Sequence, residues 1–186
     1  MSTKNLTREE ARRRSEIITV ERYHVRIDVR GADADGATHF TSSTRVRFST
    51  KEPDTFLDLL DGEIESVIVN DEEVEPEYDG SRIQLHGLHT HRKNLVVVTA
   101  KLPYQHTGQG LHRFVDPADG KVYLYTHFEA ADSRRMYTVF EQPDLKAHVD
   151  FDVLAPQGWR VISNQVHEDT REEEGGILHD FALTPR

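Results

Sequence analysis

Tyr23, Val25, Ile27 and Val29 are apolar, and His24, Arg26, Asp28 and Arg30, the residues between and after them, are all polar or charged. A period of two puts one set on a buried face and the other in solvent, which a strand can do and a helix cannot. The pattern recurs. After the turn GADADG at residues 31–36, Phe40, Thr44, Val46 and Phe48 line one face of a second strand, and Ala147, Val149, Phe151 and Val153 line one face of a later strand. Shorter runs at residues 55–60, 64–70, 74–78, 82–85, 122–126, 159–163 and 177–183 are separated by Gly, Asp and Asn turns. The run at residues 94–102 (NLVVVTAKL) is the most continuously apolar, which predicts a central strand. About ten short strands with such punctuation predict an all-β fold, an antiparallel β-sandwich or saddle.

Two helical features interrupt the strands. Thr7 followed by Glu10 is a capping box, and it predicts a short N-terminal helix over residues 8–15. Residues 131–139, with Asp132 or Ser133 as N-cap, predict a single helical turn or loop, and Pro143 keeps the following segment out of a sheet. The acidic run at residues 168–174, ahead of Gly175-Gly176, reads as a hairpin tip. No internal repeat or long linker is present, so residues 1–186 are expected to form a single β domain.

Charge narrows the function. With 33 acidic against 23 basic residues the net charge is −10, which repels a phosphate backbone and argues against nucleic-acid binding. Arg12-Arg13-Arg14 and Arg134-Arg135 read as solvated helix faces or internal ion pairs. No cysteine is present, which excludes disulfides and thiolate metal sites and fits a reducing compartment. The polar N-terminus lacks a signal-peptide core, and no apolar run nears the ~20 residues of a membrane span. The expectation is a cytoplasmic protein with no membrane partner.

Glu129 stands out among candidate site residues. It follows the 122–126 strand and precedes the irregular segment, where a side chain can point into a cleft. A carboxylate there can receive a cationic group such as a peptide's free α-amine through a charge-assisted hydrogen bond. The alternative is an ion pair with Arg134 or Arg135, and spacing alone favours it. His86, His89 and His91 have the only metal-like spacing among the eleven histidines, but Gly87 and Asn94 suggest a solvated loop. His167-Glu168 begins like a zinc motif and then loses its second His. Neither a Gly-x-Ser-x-Gly elbow nor a P-loop occurs. No residue of this chain is therefore assigned a catalytic or metal-binding role.

The 24 residues LYTHFEAADSRRMYTVFEQPDLKA, from Leu124 to Ala147, combine Thr-x-Phe-Glu-Ala, Asp-x-Arg-Arg and Phe-Glu-Gln-Pro-Asp-Leu-Lys-Ala. That combination closely resembles the aminopeptidase N family of zinc metallopeptidases, where the N-terminal β domain reaches the active site. Upstream, GQGLHRF at residues 108–114 and the opening Thr-Arg-Glu-Glu-Ala are similar to bacterial, actinobacterial-type members. The resemblance implies that Glu129 matches the family Glu and His127 the family Gln, both at the pocket for the substrate's first residue. His127 departs from the family, since a neutral imidazole lacks the donor-plus-acceptor geometry of an amide. Asp132, Arg134 and Arg135 fall on Asp-x-Arg-Arg, and Glu141, Pro143 and Lys146 on a Pro-containing motif; their chemistry suggests scaffolding of the loop.

The family's Gly-Ala-Met-Glu-Asn loop and His-Glu-x-x-His helix are absent from this chain. The resemblance thus implies the N-terminal domain of a larger enzyme whose zinc and catalytic domain lie elsewhere in the parent chain. Alone it would bind no zinc, have no peptidase activity, and self-associate through the face a catalytic domain normally covers. The ending Thr184-Pro185-Arg186, without cap or tail, suggests an artificial boundary. The alternatives are a stand-alone non-catalytic β-sandwich binding module and a free-standing regulator of the full enzyme. The binding module does not explain why Thr-x-Phe-Glu and Asp-x-Arg-Arg occur together.

Overall fold

The computed structural model describes residues 5–173 and 175–186. Thr7 opens the helix α1 (Arg8–Ile17) with the expected capping box: its hydroxyl accepts from the Glu10 N–H at 3.2 Å, and its own N–H donates to the Glu10 carboxylate at 2.8 Å. The helix runs two residues past the expected end, to the point where Ile18 turns inward as the first buried residue of β1 (Ile18–Asp28).

Strand β1 shows how the pattern meets its exceptions. Ile18 and Val20 are buried, then the phase shifts and Tyr23, Val25 and Ile27 are buried. The shift is a bulge against β2 (His39–Thr50) between Val20 and Arg22, where the extra residue restores the inward set. The strands that follow are β3 (Thr55–Asp58), β4 (Glu63–Val69), β5 (Glu72–Val74), β6 (Arg82–Leu85), β7 (Asn94–Pro103), β8 (Gly110–Val115), β9 (Val122–His127), β10 (His148–Ala155), β11 (His167–Glu173) and β12 (Gly176–Phe181). One 3-10 turn, η1 (Ser133–Arg135), sits inside the 131–139 segment with Asp132 as its cap residue, as predicted.

Eight strands form one sheet in the order β11-β12-β10-β1-β2-β7-β4-β5, while β3 pairs with β6 and β8 with β9 in separate ribbons. The all-β expectation holds, with one correction to the sheet. β1 and β10 run parallel, in register from Arg22↔His148 to Asp28↔Leu154, so the sheet is mixed. That pairing joins segments more than a hundred residues apart, and neither strand's own alternation carries its direction. β7 is interior, between β2 and β4, in keeping with its apolar run. One hydrophobic cluster joins Val25 and Ile27 of β1, Phe48 of β2 and Val98 of β7 to Leu57 and Ile83 of the β3–β6 ribbon.

Several local expectations need correction, beginning with the run at residues 74–78, of which only Val74 lies in a strand, β5. The acidic run read as a hairpin tip is the edge strand β11; the turn is Gly175, with φ 77°, and Glu174 itself lies outside the described residues. Charged side chains on an edge discourage further strand pairing, so this edge carries no alternation to read. Residues 159–163 make no strand: they run extended with alternating exposure, and Trp159 packs against the core. Residues 110–115, read only as part of a motif, form β8.

Candidate functional site

The site grows from the end of the β8–β9 ribbon. His127 closes β9 opposite Gly110. Gly110 has φ 59°, and a Cβ there would stand 2.7 Å from Cβ of Arg135, so the ribbon rests directly on η1. Only glycine allows both the left-handed backbone and that approach. Beyond His127, Phe128 stacks edge-to-face on Tyr137 at 5.9 Å, and Tyr137 on Phe151 of β10 at 5.7 Å. The next residue, Glu129, is exposed, and its peptide bond to Ala130 is cis. The tip closes where the Asp132 N–H donates to the Phe128 carbonyl at 3.1 Å.

Glu129 makes no side-chain hydrogen bond or ion pair with another described residue, so the ion pair favoured by spacing does not form. Arg135 instead donates to Asp132 at 2.7 Å and to Asp61 at 3.3 Å. Arg134 donates to the Ala131 carbonyl at 3.0 Å and to Oδ1 of Asn5 at 3.0 Å. His127 is exposed and lines a groove of about 1180 Å3 with Phe128, Tyr125, Phe151, Trp159 and Ile162. Glu129 is not among the groove's lining residues. The two sequence-predicted residues are thus neighbours along the chain, with His127 in the groove wall and Glu129 on the adjoining tip.

A buried polar network braces this tip. Glu141 accepts from the Ser133 hydroxyl at 2.6 Å and from the Arg134 N–H at 2.8 Å. Its own N–H donates to Asp58 Oδ2 at 3.1 Å, and the same oxygen takes both guanidinium nitrogens of Arg14 from α1, at 3.2 and 3.3 Å. Arg14 and Asp58 are 3% and 2% exposed, so the pair is desolvated. Burial pushes the Glu141 carboxyl up from its ordinary range, and the two donated hydrogen bonds oppose that shift without cancelling it. Gln142 ties the far side of the loop to α1 through the Ala11 carbonyl at 2.9 Å and the Ser15 hydroxyl at 2.7 Å. The Phe140 N–H donates to the Tyr23 hydroxyl at 3.1 Å. Asp132, Arg134, Arg135 and Glu141 therefore hold the loop. Gln142, inside the Phe-Glu-Gln-Pro motif, does so as well, and so do Asn5, Arg14 and Asp58, which no motif marks because their partners are dozens of residues away.

The histidine run does not converge. His86 meets Asp54 at 2.9 Å and Glu77 at 3.3 Å, while Nε2 of His89 faces Arg92 at 2.5 Å. His167 lies on β11, with its ring 5.5 Å from that of His179. Among the described residues no group of three or more His, Cys, Asp or Glu side chains is placed to hold a metal ion. No helix among them is long and apolar enough to cross a membrane.

The sequence that builds this geometry is similar to those of known aminopeptidases. Aminopeptidase N of Streptomyces lividans is 43% identical over 186 aligned positions, covering 98% of this chain and 21% of that protein. A probable aminopeptidase 1 of Saccharolobus solfataricus is 26% identical over 173 positions, covering 90% of this chain and 20% of its own length. Aminopeptidase N of Acetobacter pasteurianus is 33% identical over 104 positions, covering 54% of this chain and 28% of that protein. The chain thus spans about a fifth of the length of the first two of these relatives. Residues 21–186, from early in β1 to the last residue, match the peptidase M1 N-terminal domain, and the chain belongs to that family.

Proposed function

We propose that residues 1–186 act as the N-terminal β domain of a zinc-dependent aminopeptidase that removes N-terminal residues from peptides. In this reading Glu129 receives the α-ammonium of the substrate and His127 lines the pocket for the first side chain. The observation that carries it is the open Glu129 carboxylate on a tip held by buried partners. An exopeptidase must fix the free amine to decide which bond is cut, and a carboxylate left without a partner among the described residues, on a braced backbone, is suited to that contact. Such a charge-assisted hydrogen bond contributes about 1.5–3 kcal/mol.

The described residues do not fit a zinc site, because their histidines and carboxylates do not converge. In this proposal the remainder of the full-length protein supplies the zinc along with the catalytic groups. The chain alone is then inactive; chelator-sensitive hydrolysis of an aminoacyl p-nitroanilide by the purified chain would overturn that. The role of Glu129 is tested by Glu129→Gln in the full-length protein with the same substrate. The expected result is a KM raised about 10- to 100-fold, the loss of one charge-assisted contact. An unchanged KM refutes the assignment.

A further inference from the structure

We infer that Arg134 is a positioning residue for Glu129, and that Asn5 takes part in holding it. The inference rests on the reading of Glu129 as the ammonium acceptor. Glu129 has no side-chain partner among the described residues, so no contact holds its side chain and the backbone of its tip sets from where the carboxylate reaches. That tip is fastened by the Asp132 N–H on the Phe128 carbonyl, 3.1 Å, and by Arg134 Nε on the Ala131 carbonyl, 3.0 Å. Ala131 is two residues from Glu129, so a shift of its carbonyl is passed on through a single residue.

Arg134 is suited to hold it. The residue is 6% exposed, its N–H donates to Glu141 at 2.8 Å, and its carbonyl accepts from the Leu60 N–H at 2.8 Å. With its main chain fixed at both ends, the guanidinium plane remains to be set. Nη2 donates to Asn5 Oδ1 at 3.0 Å, across 129 positions of sequence. A planar guanidinium held at Nη2 presents Nε in one direction, which a lysine ammonium cannot reproduce. The segment before α1 therefore belongs to the machinery that aims Glu129, although it lies far from the motif. Anchors of this kind work only when held to within about half an ångström.

Asn5 is exposed, so Asn5→Ala removes the contact without opening the core. In the full-length protein, with an aminoacyl p-nitroanilide, Asn5→Ala raises KM about 3- to 10-fold with kcat within about twofold, at unchanged Tm. Asn5→Asp, which keeps the acceptor oxygen, restores KM. In a Glu129→Gln background Asn5→Ala adds nothing further, because it acts only through Glu129. Independently of turnover, the Asp132 amide of the Asn5→Ala variant exchanges its hydrogen faster. An unchanged KM for Asn5→Ala overturns the inference while leaving the Glu129 reading standing. A KM rise that persists in the Glu129→Gln background does the same, since it shows a route other than Glu129. If Glu129→Gln itself leaves KM unchanged, the reading of Glu129 fails, and this inference with it.

Discussion

Asp58 lies where α1, the β3–β6 ribbon and the site loop meet, and Asp58→Asn tests whether that junction holds the loop. The substitution keeps an oxygen for the Glu141 N–H at nearly the same place. What it removes is the charge opposite Arg14, a guanidinium 3% exposed whose nearest acidic group is Asp58 at 3.2 Å. A buried charge stripped of its partner costs about 3–5 kcal/mol. The rings of Phe56 and Phe140, 4.4 and 5.1 Å from Arg14, offset part of that, on the order of 1 kcal/mol. The net loss is then about 3 kcal/mol. For a chain of this length each kcal/mol moves Tm by roughly 2–4 °C, so Tm falls by about 10 °C. Thermal unfolding of the purified chain, followed by circular dichroism and by the fluorescence of Trp159, reads this directly. Adding Arg14→Met to Asp58→Asn removes the stranded charge and returns most of the loss, since a neutral pair of similar volume is tolerated. A fall of under about 3 °C for Asp58→Asn, or no recovery in the double variant, refutes the assignment of that stability to the buried pair.

Gly110→Ala places a Cβ 2.7 Å from the Arg135 Cβ at φ 59°; it destabilises the chain by about 2–3 kcal/mol in denaturant titration, and a change under 1 kcal/mol removes the close-packing argument. Burial works to raise the Asp150 carboxyl, but hydrogen bonds from His24 and Arg22 prevail and hold it at about 2 against an ordinary 3.8. A depressed carboxyl stabilises the fold above its unfolded value and loses that contribution as pH falls through the folded one. Asp150→Asn is therefore less stable than the parent at pH 7 by roughly 2 kcal/mol, the two converge near pH 2, and parallel stability curves refute it. On its own the chain exposes Phe114, Val115, Tyr123 and Tyr125 on the β8–β9 ribbon, each 45–50% accessible. Sedimentation at rising concentration then shows self-association, and a monomer throughout rules that surface out.

Most strands were legible because half-buried pairing imposes a period of two, and the turns between them carry Gly, Asp and Asn. The capping box was legible for a similar reason, since both partners lie within four residues. The exceptions share a cause. β11 has no buried face, so its sequence HEDTREE carries no alternation. The parallel pairing of β1 with β10 is a tertiary choice that neither strand declares. Chain position made Glu129 a candidate and motif resemblance added His127, while nothing in the spacing separates an open carboxylate from one paired with Arg134 or Arg135. Geometry makes that separation: Arg135 is taken by Asp132 and Asp61, and Arg134 reaches Asn5.

The same competition explains why so much charge is buried around an irregular loop. If Glu129 serves as proposed, its tip cannot lie within the sheet, where its backbone would be held by a ladder and its side chain fixed to one face. Leaving the ladder frees Glu129, and it also strips the loop of its regular hydrogen bonds, which must then be found elsewhere. Ser133 and Arg134 both donate to Glu141, and the Glu141 N–H and the Arg14 guanidinium both donate to Asp58. The arginines best placed to neutralise Glu129 are the ones committed to this bracing. Asp132 and Asp61 thus keep Arg135 away from the site, and Asn5 helps do the same for Arg134. A substitution that frees either guanidinium acts twice, loosening the tip and releasing a cation able to pair with Glu129.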